Sequence, residues 1–471
     1  MAVCFVSNKH LTIPYSDLAR RMARAGERIV WLSPSTRWTR WLESEGWDRN
    51  DILDLPDHAA DWTGADGGPG ALADLEVTSY PTIANVILMC RGLRAKTRGL
   101  AYGYLAACRA RIEPFLRERG VEAVFGEGTW GFELLTWLVC RRLGIPMTTP
   151  CTTRIPDDRF LFVDALTGRL PPFAPAAQAD RDWATGFLDQ WLRRPVAPAY
   201  AASQRRYVAF HRRWLEELRI GILSPELDRH DETLWPLRRR VADRIARAWN
   251  ARRYGIAKPS GPAPAATPYV LYCLHRQPEA PVDVYGALHS DQRALIERLT
   301  RMLPATHELW VKEHPAALGD RPVSWYRDVE RLPNVRLVDP FLPIHDMIRG
   351  AAAVVTISGT VGYEAALLDV PVLGLAPLYF SELYSAPVDH GSDPLDWPLR
   401  RMLTDPATRP TGDRARRIDF LARLHANSFA GNPVRLHSTP EQRAGAGYLE
   451  IEADAFLAFC AHVRRNPAAM V

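Results

Sequence analysis

Short runs of β-branched and aromatic residues alternate along the chain with longer segments in which apolar residues recur every three or four positions. Near the N-terminus this pattern predicts a strand at 2–6, a helix at 15–25 and a second strand at 28–32. The alternation returns with strands at 121–125 and 145–149 around a further helix. A strand–helix–strand order is typical of a parallel sheet. We therefore expect the N-terminal half to begin as a Rossmann-like unit.

The C-terminal half repeats the alternation more regularly, which predicts a second parallel, doubly wound sheet. Its predicted strands lie at 269–274, 307–312, 335–338, 353–357 and 370–375. The Pro/Gly/Ala-rich segment KPSGPAPAAT, at 258–267, is typical of a linker. We predict an N-terminal domain with helical insertions at 1–255, a linker at 256–268 and a C-terminal domain at 269–471. The final helix, about 451–464, is expected to pack back on the N-terminal domain.

Composition supports two globular domains. The chain has 471 residues, of which 47% are hydrophobic and 24% charged. Its seven cysteines are odd in number and form no CxxC pair, which favours a reducing cytoplasm over zinc or redox chemistry. The N-terminal MAVCFVSNKH is unlike a signal peptide, and no apolar run approaches the ~20 residues that span a bilayer. We expect a cytoplasmic protein.

The positive charge is regional. The net charge is +5, and the segment 204–253 alone holds thirteen arginines against seven acidic residues. These basic helices would suit peripheral contact with the inner face of an anionic membrane, or an acidic polysaccharide; the alternative is an ordinary solvated helical face. Nucleic acid is not expected as a partner, because no basic motif interleaved with aromatic residues is present.

A strand-to-helix turn rich in small residues lies at 356–367, TISGTVGYEAAL. Backbone N–H groups and hydroxyls at Ser358, Gly359 and Thr360 would suit a phosphate or carboxylate near the positive end of the helix dipole. The alternative for these residues is a plain helix N-cap.

A second candidate, VKEHP at 311–315, ends another predicted strand and should lie at the same carboxyl edge of the sheet. His314 is positioned to donate to a phosphate oxygen or to protonate a departing nucleotide. Lys312 would point to the same side and neutralise phosphate charge, or else form a surface salt bridge. Glu313 should face the opposite way and serve the structure.

Three blocks in order, LHRQPEAPVD, LWVKEHP and TISGTVGYEAALLDVPVLGL, cover roughly 269–380 and resemble the capsular-polysaccharide biosynthesis family, including capsule β-Kdo transferases. The resemblance implies an α/β GT-B fold, with two Rossmann-like domains facing a cleft and a helical insertion. It also implies transfer from a CMP-activated acidic sugar, typically Kdo. We expect no metal or other cofactor. Two positions depart from the family pattern: Arg276, where a tyrosine is expected, and Asp369, where glycine is usual.

The resemblance also implies residue roles. Glu364, on the helix after the Ser-Gly-Thr turn, would bind two ribose hydroxyls, although a charge near a helix start can simply stabilise the dipole. Glu127, in FGEGT at 125–129, would be the catalytic acid or base at the acceptor hydroxyl; a plain helix N-terminal acid is the alternative. Gln277 and Glu279 would form a polar loop facing the cleft with Asp283, which would orient the sugar or stabilise positive charge at its anomeric carbon.

Arg154 and Arg159, in CTTRIPDDRF, would bind the carboxylate of an acidic sugar through their guanidinium groups, or else pair with Asp157 and Asp158. The D-x-D sequence at 180–182 opens a helical stretch rather than following a strand. A metal-binding role for it is therefore not expected.

The resulting prediction is a glycosyltransferase that moves an acidic sugar from a CMP donor to a bacterial capsule or other surface glycan or glycolipid. Two alternatives remain open. One is a CDP-alcohol phosphotransferase of the teichoic-acid type, which would attack phosphorus instead of a sugar carbon. The other is a non-catalytic capsule assembly or export protein that binds glycan or lipid through its basic helices at 204–253, with binding that depends on Arg238, Arg239 and Arg240.

Overall fold

The structure, a computed structural model, describes residues 2–58, 68–76, 81–170, 174–196, 230–235, 237–254, 267–387, 396–404, 413–431 and 448–466. These residues form two compact units. The first contains described residues from 2–170, 230–237 and 427–466, and the second those from 174–196 and 238–426. Most of the predicted linker at 256–268, and residues 204–229 of the basic segment, lie outside the described residues.

The strands are numbered in chain order: β1 (Ala2–Val6), β2 (Arg28–Ser33), β3 (Ile52–Asp54), β4 (Val121–Phe125), β5 (Met147–Thr152), β6 (Arg159–Asp164), β7 (Tyr269–Cys273), β8 (Glu308–Lys312), β9 (Val335–Val338), β10 (Ala353–Thr356), β11 (Val372–Gly374), β12 (Ala386–Pro387) and β13 (Phe429–Ala430).

The α-helices are α1 (Thr12–Arg24), α2 (Thr36–Ser44), α3 (Ile83–Met89), α4 (Arg98–Glu118), α5 (Gly131–Leu143), α6 (Gln178–Arg193), α7 (Leu237–Tyr254), α8 (Gln292–Met302), α9 (Val323–Glu330), α10 (Ile344–Gly350), α11 (Thr360–Leu367), α12 (Asp396–Thr404), α13 (Arg414–Ala426) and α14 (Tyr448–Arg465). Short 3-10 or π segments lie between several of them.

The sheet of the first unit has the order β13-β6-β5-β4-β1-β2-β3. Strands β1 to β5 run parallel, whereas β6 and β13 add antiparallel pairs at one edge. Buried aromatic rings fill the core beneath it, with Phe5 and Phe125 5.4 Å apart and Phe456 of α14 4.6 Å from Phe125. Helix α14 therefore returns to the first unit, where it packs beside α1.

The sheet of the second unit is parallel throughout, in the order β12-β11-β10-β7-β8-β9. Numbered from its own first strand, this is the 3-2-1-4-5-6 order of a Rossmann fold. Its central strands are almost wholly buried because helices cover both faces. The predicted fold class, α/β with two Rossmann-like domains, is confirmed.

Local turns explain where several elements end. Gly144 has φ 71° and ends α5 in the left-handed conformation that glycine favours, as the sequence predicts. Asp369 has φ 63°, so the position where the capsule family usually has glycine requires the same conformation here. Aspartate is among the side chains that adopt it most readily. The departure at Asp369 thus has a backbone explanation.

Two features differ from the sequence-based expectations. The strand predicted to end at 149 continues as β5 to Thr152 and turns back into β6, which forms an antiparallel hairpin. Residues 238–254 of α7, assigned to the N-terminal domain, belong to the second compact unit. Hydrophobic periodicity shows that a helix has a buried face but does not show which sheet that face covers.

Candidate functional site

The second sheet has its switch point between β7 and β10, where successive connections leave toward opposite edges. Ligands of open α/β folds bind at this point, beyond the carboxyl ends of the strands. His275 follows β7 and Ser358 follows β10, and the backbone N–H of Ser358 donates to Nε2 of His275 at 3.2 Å. His314 follows β8, the next strand in the sheet. Three predicted loops therefore meet at one edge.

The backbone around His275 is held on several sides. Gln292 of α8 accepts the N–H of His275 at 2.8 Å and donates to its carbonyl at 3.0 Å. Arg321 donates to the same carbonyl at 2.7 Å. His275 was not among the sequence candidates, although its place directly after a buried strand and before Arg276 was a usable signal. It organises the loops of this edge.

His314 is half-buried and fixed by a short 3-10 turn. Its Nδ1 accepts the backbone N–H of Ala316 at 3.2 Å, so the neutral ring carries its proton on Nε2. Burial, with added repulsion from Arg276, Lys312 and Arg321, lowers the pKa of His314 to about 4. In the free protein at neutral pH, His314 is therefore a hydrogen-bond donor rather than a proton reservoir for a leaving group.

Glu313 holds the backbone of His314 in place. One carboxylate oxygen accepts the N–H of His314 at 2.6 Å, and the other accepts from Arg321 at 2.7 Å and from the Tyr326 hydroxyl at 2.6 Å. The side chains of Glu313 and Arg321 are almost fully buried. A buried carboxylate satisfied in this way positions the histidine and is not available to a ligand.

Lys312 is buried, so the alternative of a surface salt bridge is wrong. Its ammonium donates to the carbonyl of Pro340, just beyond β9, and burial lowers its pKa. The predicted direct contact with phosphate is disfavoured by this engagement. The positive charge of Lys312 instead acts on His314 and helps to lower its pKa.

The Ser-Gly-Thr turn is more occupied than the sequence suggests. The N–H of Ser358 is taken by His275, the hydroxyl of Ser358 donates to the carbonyl of Pro281 at 2.8 Å, and the N–H of Gly359 donates to Thr356 at 2.9 Å. These three groups hold the loop together, which corrects the expectation that they meet a phosphate. Helix α11 starts at Thr360, so the positive end of its dipole lies at this edge of the sheet.

Glu364 is buried on α11, with its carboxylate 2.9 Å from Nε2 of His345. His345 in turn lies edge-on to the ring of Trp191. A ribose would have to compete with His345 for this carboxylate. The ribose contact of Glu364 stays a prediction.

The loop after β7 is mostly internal. Gln277 donates to the carbonyl of Ser290 at 2.9 Å and to Asp283 at 3.3 Å, and it accepts from Gln292 at 2.9 Å. Asp283 is buried, so neither residue presents a polar group openly to a sugar. Glu279 is more exposed, 3.4 Å from Arg276.

Arg276 is the cation of this loop that sequence reasoning noted only as a departure from the family pattern. Its charge is the largest single contribution, after burial, to the lowered pKa of His314. Its guanidinium lies 3.9 Å from Asp320 and 3.4 Å from Glu279. Arg276 and His314 together form an electropositive, hydrogen-bonding edge suited to an anion.

The first unit has its own switch point, between β1 and β4. Asn8 follows β1, and its amide donates to Glu127 at 3.2 Å and to Glu133 at 3.1 Å. Glu127 follows β4 and Glu133 lies in the first turn of α5. The predicted acid or base, Glu127, is thus one of a pair of carboxyl groups bridged by an asparagine that the sequence did not single out.

The pair of carboxyl groups has raised pKa values. Burial, together with the charge of Glu127, raises the pKa of Glu133 to about 8, although Glu133 accepts hydrogen bonds from the Thr129 N–H, the Thr129 hydroxyl and the Trp130 N–H. Burial also raises the pKa of Glu127, and Arg91 opposes that rise. A carboxyl group with a raised pKa suits general acid or base chemistry near neutral pH.

The two glycines around Glu127 are required by close packing. A Cβ at Gly126 would lie 2.8 Å from Val6, and one at Gly128 would lie 2.2 Å from the carbonyl oxygen of Ala165. Both distances are too short for any side chain. The glycines let the loop that carries Glu127 approach the sheet closely.

Cations surround this second edge. Arg91 lies 4.3 Å and Lys9 4.6 Å from the ring of Trp130. Burial raises the pKa of the Cys151 thiol, and the charge and hydrogen bond of Arg154, which has φ 61°, oppose that rise. Arg154 therefore lies beside Cys151 near the end of β5, and its contact with a sugar carboxylate stays a prediction.

Arg159 is placed elsewhere. Its guanidinium donates to the hydroxyl of Ser428 at 2.8 Å and to its carbonyl at 2.6 Å, tying β6 to the segment before β13. Its predicted role in binding a sugar carboxylate is not favoured by this arrangement.

Within the described ranges, no three His, Cys, Asp or Glu side chains are grouped to hold a metal ion. Asp180 of the D-x-D sequence contacts His425 at 2.7 Å. No helix in the described ranges has the length and apolar character needed to cross a membrane.

No protein-family model matches the chain, and no curated protein matches it. Among solved structures, UDP-GlcNAc 2-epimerase from Methanocaldococcus jannaschii is 13% identical over 90% of this chain and 99% of that one, with a TM-score of 0.28. Two chains of Thermosulfurimonas dismutans KpsC are also similar. Its beta Kdo 2,7 transferase is 12% identical over 69% of this chain and 85% of that one, with a TM-score of 0.32. Its beta Kdo 2,4 transferase is 15% identical over 67% and 84%, with a TM-score of 0.31.

At 12–15% identity, these similarities concern the fold alone.

Proposed function

We propose that the protein is a glycosyltransferase that binds a nucleotide-activated sugar at the carboxyl edge of the second sheet. The donor proposed first is a CMP-activated acidic sugar, with Kdo as the leading candidate from the motif resemblance. The acceptor is a bacterial surface glycan or glycolipid. No metal ion or further cofactor is included in the proposal.

The observation that carries this proposal is the state of His314. A neutral imidazole with its proton on Nε2 follows β8, one strand from the switch point between β7 and β10, where it lies in the field of the Arg276 charge. Helix α11 begins after β10 at the same edge of the sheet. Such an edge combines a fixed donor, a positive charge and a helix dipole, which is the combination that binds phosphate groups. Its charge complementarity favours the anionic leaving group of a nucleotide sugar.

In the proposed reaction, the oxygen of an acceptor hydroxyl attacks the anomeric carbon of the donor sugar. The bond between that carbon and the phosphate oxygen breaks, and the nucleoside monophosphate leaves with the electron pair. The hydroxyl proton passes to Glu127, whose raised pKa suits a general base. His314 and Arg276 stabilise the charge that develops on the phosphate. Arg154 would bind a sugar carboxylate.

Calorimetric titration with CMP, CDP, UDP and GDP, in the presence of a chelator, tests the nucleotide. CMP is expected to bind best, and His314→Asn is expected to lose most of that binding. Asparagine at this position still offers an oxygen to the Ala316 N–H, so the turn is preserved while the Nε2 donor is removed. Equal binding by wild type and variant, or a preference for UDP, would contradict the proposal.

The two alternatives give different results. A CDP-alcohol phosphotransferase would bind CDP or CMP through His314 but release no CMP from CMP-Kdo. A non-catalytic assembly protein would bind no nucleotide and would retain glycan or lipid binding in the His314 variant.

A further inference from the structure

Helix α7 of the second unit has an outward face that combines large apolar and basic side chains. We define the α7 outer face as Arg238, Ile245, Trp249, Arg252 and Arg253, all exposed. At 100° per residue these positions fall on one side of the helix. We propose that the α7 outer face docks on an anionic lipid bilayer.

The apolar centre of this face is formed by two exposed side chains. Ile245 is 64% exposed and Trp249 is 60% exposed, and they lie four residues apart on adjacent turns. Single exposed apolar residues are common on proteins, whereas an isoleucine and a tryptophan four residues apart are neighbours on one face of a helix. Tryptophan is the side chain best suited to the boundary between lipid and water.

Arginines surround the apolar pair at both ends of the helix. Arg238 lies toward the N-terminus and Arg252 and Arg253 toward the C-terminus, with the Arg253 guanidinium 5.6 Å from the Trp249 ring. The acidic residue of α7, Asp243, is paired with Arg247 at 2.8 Å, away from this face. The α7 outer face is therefore purely cationic around an apolar centre.

The opposite side of α7 is anchored, which fixes the direction of the outer face. Arg247 pairs with Asp320 at 2.6 Å, and Asn250 donates to the carbonyl of Gly319 at 3.2 Å. The Tyr254 ring lies 4.8 Å from that of Tyr326. A Cβ at Gly319 would lie 2.3 Å from the carbonyl of Arg247, so the helix is packed closely there.

Anionic lipid accounts for both components of the face. Basic side chains are attracted to acidic headgroups, and isoleucine and tryptophan gain by leaving water for the headgroup boundary. An acidic polysaccharide would use the arginines but give Ile245 no apolar environment. A symmetric contact with a second copy would bring the same arginines together, and like charges oppose such a contact.

Co-sedimentation with sucrose-loaded vesicles tests the proposal without any nucleotide or sugar, so its failure would leave the proposed function untouched. The protein should bind vesicles of phosphatidylcholine containing phosphatidylglycerol and bind pure phosphatidylcholine weakly. We expect the double variant I245S/W249S to lower the partition coefficient roughly tenfold or more. R238Q/R252Q should lower it by about five-fold for each arginine, and should also weaken its salt dependence.

Matched controls come from exposed residues elsewhere. Leu88 is 65% exposed and lies on α3 of the first unit, so L88S removes a similar apolar side chain. Arg331 follows α9 and is also highly exposed, so R331Q removes a surface charge. Both controls should bind vesicles as the wild type does.

Several results would overturn the proposal. One is equal binding of both vesicle types; another is unchanged binding after both α7 substitutions. Binding to soluble alginate that depends on Arg238 and Arg252 but not on Trp249, without vesicle binding, would assign the surface to acidic glycan. Sedimentation velocity that shows a dimer lost in I245S/W249S, again without vesicle binding, would assign it to a second copy.

Discussion

Nδ1 of His314 accepts a hydrogen bond from the backbone N–H of Ala316, with 3.2 Å between the two nitrogens. This contact decides which ring nitrogen carries the proton, because Nδ1 can accept only when it is unprotonated. The available donor is therefore Nε2. The sequence suggests that His314 either donates a hydrogen bond to phosphate or protonates the leaving nucleotide. In the free protein its geometry favours the role of hydrogen-bond donor.

His314→Asn and His314→Gln should distinguish the effect of the Nδ1 hydrogen bond on stability from the effect of the Nε2 donor on CMP binding. Asparagine preserves the acceptor for Ala316 and removes Nε2, so we expect near wild-type stability and CMP binding weakened by roughly tenfold to a hundredfold. Glutamine reaches toward the Nε2 position but caps the turn poorly, so it should retain more CMP binding and lose about 1 kcal/mol of stability. Calorimetry and denaturant unfolding measure both quantities. Weaker CMP binding in the glutamine variant than in the asparagine variant would contradict this assignment.

The pKa of His314 should depend on Arg276 and on ligand. In the free protein NMR titration should give a value of about 4, and Arg276→Gln should raise it by removing a neighbouring positive charge. Bound CMP should also raise it, because a phosphate favours the charged ring. CMP affinity should then increase as pH falls toward the raised pKa. A His314 pKa near 6.5 in the free protein, unchanged by Arg276→Gln, would contradict the inferred effect of burial and Arg276 on this ring.

The lowered pKa of His314 should also make the free energy of unfolding depend on pH. The folded pKa of about 4 lies below the ordinary value of 6.5, so between these pH values the unfolded chain binds more protons. The contribution of His314 is complete above pH 6.5 and is lost as pH falls toward 4. His314→Asn should flatten the unfolding free energy over this window, as measured by denaturant unfolding at a series of pH values.

Glu133 should affect stability in the opposite direction. Its folded pKa of about 8 lies above the ordinary 4.5, so the folded protein holds a proton that the unfolded chain releases. Its contribution is present below pH 4.5 and is lost as pH rises toward 8. Glu133→Gln cannot ionise, and its unfolding free energy should change less across this range than that of the wild type. A parallel pH profile in the two proteins would show that Glu133 is already ionised.

Glu127 should be needed for chemistry and not for nucleotide binding. With CMP-Kdo as donor and a surface-glycan acceptor, Glu127→Gln should lower CMP release by about 10²- to 10⁴-fold, the usual contribution of a general acid or base. The affinity for CMP should be unchanged, because the nucleotide is proposed to bind in the second unit. Asp164→Asn in the first unit is a control carboxylate outside the pair of Glu127 and Glu133, and turnover is expected to be nearly unchanged. Retained turnover in the Glu127 variant would exclude this residue as the base.

Gly128 should tolerate no side chain. A Cβ would lie 2.2 Å from the carbonyl oxygen of Ala165, so Gly128→Ala should destabilise the first unit by roughly 1–3 kcal/mol. Gly186, inside α6, has no atom within 4 Å of its ideal Cβ, so Gly186→Ala should be neutral or stabilising by up to about 1 kcal/mol. Thermal unfolding of the two variants compares them directly.

Much of the fold follows from local sequence pattern. The strands at 2–6, 121–125 and 335–338 lie where the hydrophobic runs predict them, and α5 ends at Gly144 as expected. The hairpin of β5 and β6 was missed. Strand β6 follows a polar turn. The local sequence pattern does not show whether such an apolar run pairs antiparallel with the strand before it.

The candidate site was predictable in its location and less so in its contacts. His314, Glu127 and the Ser-Gly-Thr turn follow buried strands, so their sequence positions place them at the carboxyl edges of the two sheets. Arg276 and Asn8 also follow strands, but nothing in their own sequence contexts shows that they face a histidine or a carboxyl pair.

The sequence by itself determined the parallel α/β character of both halves and the position of His314 at a strand end, because these depend on hydrophobic periodicity over a few residues. The tertiary structure alone decided which polar groups remain for a ligand. The N–H of Ser358 is taken by His275, 83 residues away, and Arg159 is taken by Ser428, 269 residues away. Hydrogen-bond partners so distant in sequence are chosen by the packing of whole elements, so only the folded chain shows whether a donor is occupied.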